Sequence, residues 1–248
     1  MKIKVEVCAG SVQDCITAQA QGADRIELNN ALFLGGLTPS VATLTEAKKH
    51  VAIPIITMVR ARAGGFHYTD VEMKTMFEDA KILIEYGTDG IVFGFLNADN
   101  TIDEIWTKVF VDLAHEHGIE AIYHRAFDRT LDAQAAIEAL IRCGVDRVLT
   151  SGLETTADKG IPTLKMLQEN YGTQIEICVG AGVNEENINE ILDETKATQV
   201  HSSFKGWFDD PTTSSSKVSY RYDQSGDYEG VDAKKLKTFM EVLMKREG

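Results

Sequence analysis

A chain of 248 residues, 44% hydrophobic and 25% charged with only four prolines, has enough apolar surface to bury a substantial core, which excludes a largely disordered protein. Its formal net charge of −13 comes with no stripe of Lys or Arg, which argues against a nucleic-acid partner. No stretch approaches the roughly 18 consecutive apolar residues of a membrane span, and MKIKVEVCAG enters a strand pattern rather than a secretory signal, so a cytoplasmic location and reduced thiols are expected.

Short β-branched runs alternate with helical patterns along the chain. Strand 3–8 precedes helix 11–21, strand 25–28 helix 39–49, strand 54–59 helix 70–86, and strand 90–95 helix 103–117. Strand 119–124 then precedes helix 132–142, strand 146–150 helix 160–170, strand 175–179 helix 184–195, and strand 198–202 helix 232–246. Thr38-Pro39, Thr69-Asp70, Asp103 and Asn184 supply helix-start chemistry. Eight strands and eight helices predict an α/β fold, a (β/α)8 TIM barrel forming one domain over 1–248. The echoes QGADRIEL, YGTDGIVF and CGVDRVLT, each with a helix-stopping Gly and an Asp two residues on, favour a repeated barrel unit over an open sheet. Segment 204–230 is too long and polar for an ordinary loop, which predicts a mobile stretch or an arm packed on a neighbouring subunit.

Barrel sites form at the carboxyl ends of the strands. Cys8 ends the first strand and shares a face with Glu6; Arg25, Glu27 and Asn29 share a face of the second, so Cys8 and Asn29 can meet across adjacent strands. Glu27 is a general base or the counter-ion of Arg60. MVRARAGGF brings Arg60 and Arg62 to the third strand's end, and YHRAFD brings His124, Arg125 and Asp128 to the fifth. Histidine is tunable near neutral pH, Arg clamps anions bidentately, and a carboxylate orients either one or ties a loop down. Ser151 follows the sixth strand, and His201 and Ser202 close the eighth. Gly180 and Gly182, in CVGAGVNEEN, resemble a barrel phosphate site in which backbone amides and a helix start hold an anion. The set points to a small anionic ligand, with Glu27, His124 and Asp128 as acid/base and orienting residues. Arg60, Arg62, Arg125, Ser151, Gly180, Gly182, His201 and Ser202 would bind it. No CxxC, HExxH, EF-hand or P-loop occurs, and His115 and His117, two apart on a helix, diverge.

Together the segments VEVCAGS (5–11), GADRIEL (22–28), GGLTPS (35–40), 58–66, DGIVFG (89–94), HRAFD (124–128), RVLTSG (147–152), GAGV (180–183) and HSS (201–203) resemble the CutC copper homeostasis family. The resemblance spans about the first 200 residues in order. It implies a TIM barrel, self-association into a homo-oligomer, and copper as the ligand, with Cu(I) at two cysteines. The first falls on Cys8, a metal ligand by this resemblance; the second, which follows the RIEL strand in the family, is Asn29 here. Cu(I) prefers sulfur, so a carboxamide in place of a thiolate is expected to weaken such a site. The family's RPRGGDF reads RARAGGF, keeping both arginines, while HRAFD and LTSG are intact. Two readings follow. One is a cytoplasmic copper-homeostasis protein, and the other a barrel enzyme acting on a small phosphorylated or carboxylated metabolite by acid/base chemistry.

Overall fold

The alternation of strand and helix closes on itself. The computed structural model describes residues 2–247. Its strands are β1 Lys4–Ala9, β2 Arg25–Leu28, β3 Ile55–Met58, β4 Gly90–Phe93, β5 Glu120–Tyr123, β6 Arg147–Thr150, β7 Glu176–Val179 and β8 Gln199–Ser202, paired in chain order with β8 returning to β1. The helices that follow them are α1 Val12–Ala20, α2 Val41–His50, α3 Asp70–Glu85, α4 Glu104–Glu116, α5 Ala133–Cys143, α6 Ile161–Tyr171, α7 Ile188–Thr195 and α8 Ala233–Glu247. All the barrel strands are parallel, and β2, β3, β4 and β6 are buried at every position, as strands covered on both faces must be.

Most of the core lies between barrel and helices. The barrel interior divides instead by chemistry. Ile56, Met58, Val92 and Ile122 form an apolar cluster on the β3–β5 side. Opposite, Arg25 Nε donates to Glu6 Oε2 at 2.5 Å and its Nη2 to Gln199 Oε1 at 3.0 Å. Arg147 bridges Glu120 at 2.7 Å and Glu6 at 3.6 Å. A charged layer therefore sits directly beneath the carboxyl-end mouth.

Two expectations change in detail. The helix read as 184–195 begins only at Ile188, because the side chains of Asn184 and Asn187 cap the preceding turn: Glu186 and Asn187 amides donate to Asn184 Oδ1, and the Asn184 amide to Asn187 Oδ1. Segment 204–230 has ordered ends. Strands β9 Lys205–Phe208 and β10 Tyr228–Val231 form an antiparallel pair. The Val231 amide donates to Asp14 of α1 at 2.7 Å, and Phe204 packs on Phe239 of α8, with ring centroids 4.9 Å apart. The segment thus folds back on its own barrel.

The β6–α6 turn is closely packed. Gly152 sits at φ +75°, and a Cβ on Gly160 would lie 1.8 Å from the Ser151 carbonyl oxygen. Gly160→Ala is therefore expected to cost about 1–3 kcal/mol by forcing the turn apart. Urea denaturation checks this, and an unchanged midpoint would refute the packing.

Candidate functional site

At the carboxyl ends of the strands lies a cavity of about 240 Å3, below the roughly 300–1,000 Å3 typical of drug-sized ligands. Its wall has two chemically distinct halves.

The first half is built by β1, β2 and β8. Register pairs Cys8 with Glu27 and Glu6 with His201, so strand pairing alone brings these four together. Ligand atoms of Cys8, Glu27 and His201 all lie within 4.8 Å of one another. His201 gives its Nδ1 to Glu6 Oε1 at 2.8 Å. Burial would lower the His201 imidazole, but Glu27 and Glu6 outweigh it and raise it. Burial would raise the Glu6 carboxyl, yet Arg25, the His201 hydrogen bond and Arg147 hold it well below the usual carboxylate range. Glu27 is pushed up, chiefly by burial, and its Oε2 is buried without a hydrogen-bond partner. Burial, then Glu27, pushes the half-buried Cys8 thiol well up as well. Asn29 Nδ2 donates to Glu27 Oε1 at 2.9 Å and Cys8 Sγ at 3.4 Å.

The second half is built by β3, β5 and their loops. Arg60 Nη1 donates to the carbonyls of Gly35 and Gly36 at 3.0 and 3.1 Å and Nη2 to Gly64 at 2.8 Å, while its guanidinium stacks over Phe66. Glu27 is therefore not the counter-ion of Arg60. His124 Nδ1 accepts from the Ala126 amide at 3.0 Å, which places the proton of the neutral ring on Nε2. Burial, then Arg60, lowers this imidazole to about 3, so it is neutral at physiological pH and serves as a donor. Arg125 is held by Asp128 at 2.8 Å through Nε and by Ser151 at 2.9 Å through Nη2.

The remaining expected residues fall around these halves. Asp128 accepts from Arg125, Thr150, Ser151 and Leu153, so its oxygens are consumed in holding Arg125 and the β6 end rather than left for proton transfer. Ser151 belongs to the same knot. Arg62 does not line the cavity: it pairs with Glu72 at 2.5 Å, stacks over Tyr68 and bonds the His67 carbonyl. Gly182, at φ +71°, and Ser202 line an adjoining cavity that shares Cys8, Arg125 and His201. Gly180 lines neither, and serves packing, since a Cβ there would meet Leu149 at 2.7 Å. The amides of Asn184, Glu186 and Asn187 go to side-chain caps, so the α7 start does not offer them to an anion. Reading from residues overlooked Phe66, Lys205 and Glu229 as lining groups, the last two brought in by the β9–β10 pair. Glu6 carried a signal, its shared face with Cys8, without being assigned a role.

The profile of the CutC family matches residues 3–206. The chain belongs to the CutC family. A CutC family protein of Treponema denticola is 42% identical over 218 residues, 88% of each chain. The human copper homeostasis protein cutC homolog is 39% identical over 199 residues, 80% of this chain and 72% of that one. A CutC structure from Streptococcus agalactiae superposes with a TM-score of 0.76 at 32% identity, covering 81% of this chain and 98% of that one. Phosphoribosylanthranilate isomerase of Thermotoga maritima, with a TM-score of 0.57 at 11% identity over 98% of this chain and 99% of that one, shares the fold alone. No helix among the described residues is long and apolar enough to cross a membrane.

For this CutC chain the fit of a metal turns on its own donors. A site of two thiolates at Cys8 and position 29 does not fit, because Asn29 directs its amide N–H groups at Cys8 and Glu27. A mixed site does fit. An imidazole oriented by a carboxylate, a buried carboxylate oxygen lacking a partner, and a thiol together form a three-donor set.

Proposed function

We propose that this chain acts in cytoplasmic copper homeostasis by holding a copper ion between Cys8, Glu27 and His201. The observation that carries the reading is the buried Glu27 carboxylate, one oxygen of which has no hydrogen-bond partner, in a trio with a thiol and an imidazole whose ligand atoms lie within 4.8 Å of one another. The name of the human relative supports copper as that cation. Glu6 orients the imidazole, leaving His201 Nε2 as the ligating nitrogen. One sulfur, one nitrogen and one oxygen suit a divalent ion with all three donors, and Cu(I) with the sulfur and nitrogen. Because Cys8 must lose its proton to ligate, affinity rises with pH.

Competition titration, anaerobic for Cu(I), is expected to give one ion per chain. Glu6→Gln is expected to weaken binding about 10–100-fold by freeing the imidazole, with larger losses in Cys8→Ser and His201→Ala. Equal affinity in wild type and Cys8→Ser would overturn the reading.

A further inference from the structure

The copper reading leaves half of the cavity without a task. That half contains a buried guanidinium with no carboxylate: Arg60 is 6% exposed, and among the described residues it forms no ion pair. Its neighbours are loop carbonyls, the Phe66 ring and the Tyr68 side chain, none of them a carboxylate, and its buried Nε–H has no acceptor in hydrogen-bond geometry. Burying a charge in this way is costly unless something neutralises it.

The same wall holds a second donor without an acceptor. His124 is 4% exposed, its Nδ1 is committed to the Ala126 amide, and its Nε2 has no hydrogen-bond partner. Phe66 fixes both groups, with its ring 4.9 Å from the His124 ring and 5.0 Å from the Arg60 guanidinium. Arg125 completes the wall. Asp128 and Ser151 occupy its Nε and Nη2, and no described group engages Nη1. Arg60, His124 and Arg125 all line one small cavity, which the carboxylates Glu27 and Glu229 line as well. Donors without acceptors call for a ligand bearing acceptors, and guanidinium groups call for negative charge on it.

We infer that Arg60, His124 and Arg125 form an oxyanion subsite that binds one small carboxylate- or phosphate-bearing molecule beside the Cys8–Glu27–His201 trio. The loop carbonyls around Arg60 and the knot around Arg125 fix the donors in advance, so little side-chain freedom is lost on binding. The neutral state of His124 suits this task. An Nε2–H that keeps its proton donates to an anion over the whole physiological range.

The inference does not depend on copper, and its test uses the full chain freed of metal by a chelator. Inorganic phosphate and acetate are titrated separately, read by calorimetry, thermal shift and the 15N resonances of the His124 ring. Saturable binding of either probe with a shift at His124 Nε2 is the expected result, and the tighter probe tells a tetrahedral from a planar oxyanion. His124→Phe keeps a ring against Phe66 but removes the donor, and Arg125→Gln removes a charge. Each is expected to weaken binding about tenfold or more, the loss for a charge-assisted hydrogen bond. If one variant fails to fold, the ring resonances of the wild type still decide. No saturable binding by either probe, or binding that leaves those resonances unmoved, overturns the inference while leaving the copper reading intact.

Discussion

Replacing Glu6 with leucine is expected to cost about 3–5 kcal/mol of folding stability, the loss typical when one partner of a buried ion pair is removed. Glu6 is 2% exposed and lies 2.5 Å from Arg25, 3.6 Å from Arg147 and 2.8 Å from His201. Without it, two buried guanidinium groups lose the carboxylate between them. Arg147, whose Nε and Nη2 have no hydrogen-bond partner, would keep only its ties to Glu120 and Glu176 at the half-exposed rim. Urea denaturation of Glu6→Leu against wild type measures the loss. Adding Arg25→Met and Arg147→Met is expected to recover most of it, since the stranded charges go with the guanidinium groups. A single variant as stable as wild type would show that the layer beneath the mouth is not electrostatically knit.

That layer also marks how far the sequence could be read. The barrel was legible because helix-stopping glycines such as Gly144 and strands such as RVLT are local signals, set by backbone conformation and two-sided burial. The neighbours Cys8, Glu27 and His201 were legible as strand ends, but not as a cluster. Glu6 meets His201 only because β8 closes on β1, a contact between residues 195 positions apart. Arg62 and Arg60 look equivalent in MVRARAGGF, yet a two-residue step turns one to Glu72 and the other to the cavity. The role of Asp128 turned on a count of donors, Thr150, Ser151 and Leu153 among them, which no spacing rule supplies. Glu229 and Lys205 reach the cavity through a strand pair formed from a segment whose composition signals only a loop.

Acid is expected to destabilise the protein through His124 at pH values still above the usual carboxylate range. Burial first, and then Arg60 and Arg125, holds the folded imidazole at about 3 instead of the ordinary 6.5. Between those values the unfolded chain binds a proton that the folded chain refuses, so stability is complete above pH 6.5 and erodes as the pH falls. At about 1.4 kcal/mol for each tenfold change in proton concentration, moving from pH 6.5 to pH 5 removes roughly 2 kcal/mol. This window separates His124 from its neighbours. Glu6, held low by Arg25 against the cost of burial, loses its contribution only as the pH falls below the usual carboxylate range. His201 acts in the opposite sense. Its imidazole is raised by Glu27 and Glu6 against burial, so its contribution is present below pH 6.5 and is lost as the pH rises past its folded value. Urea denaturation at pH 5 and pH 6.5 should therefore show the slope in wild type and not in His124→Phe, where no imidazole remains to titrate. An identical slope in the two proteins would mean that the ring is protonated as readily when folded as when free.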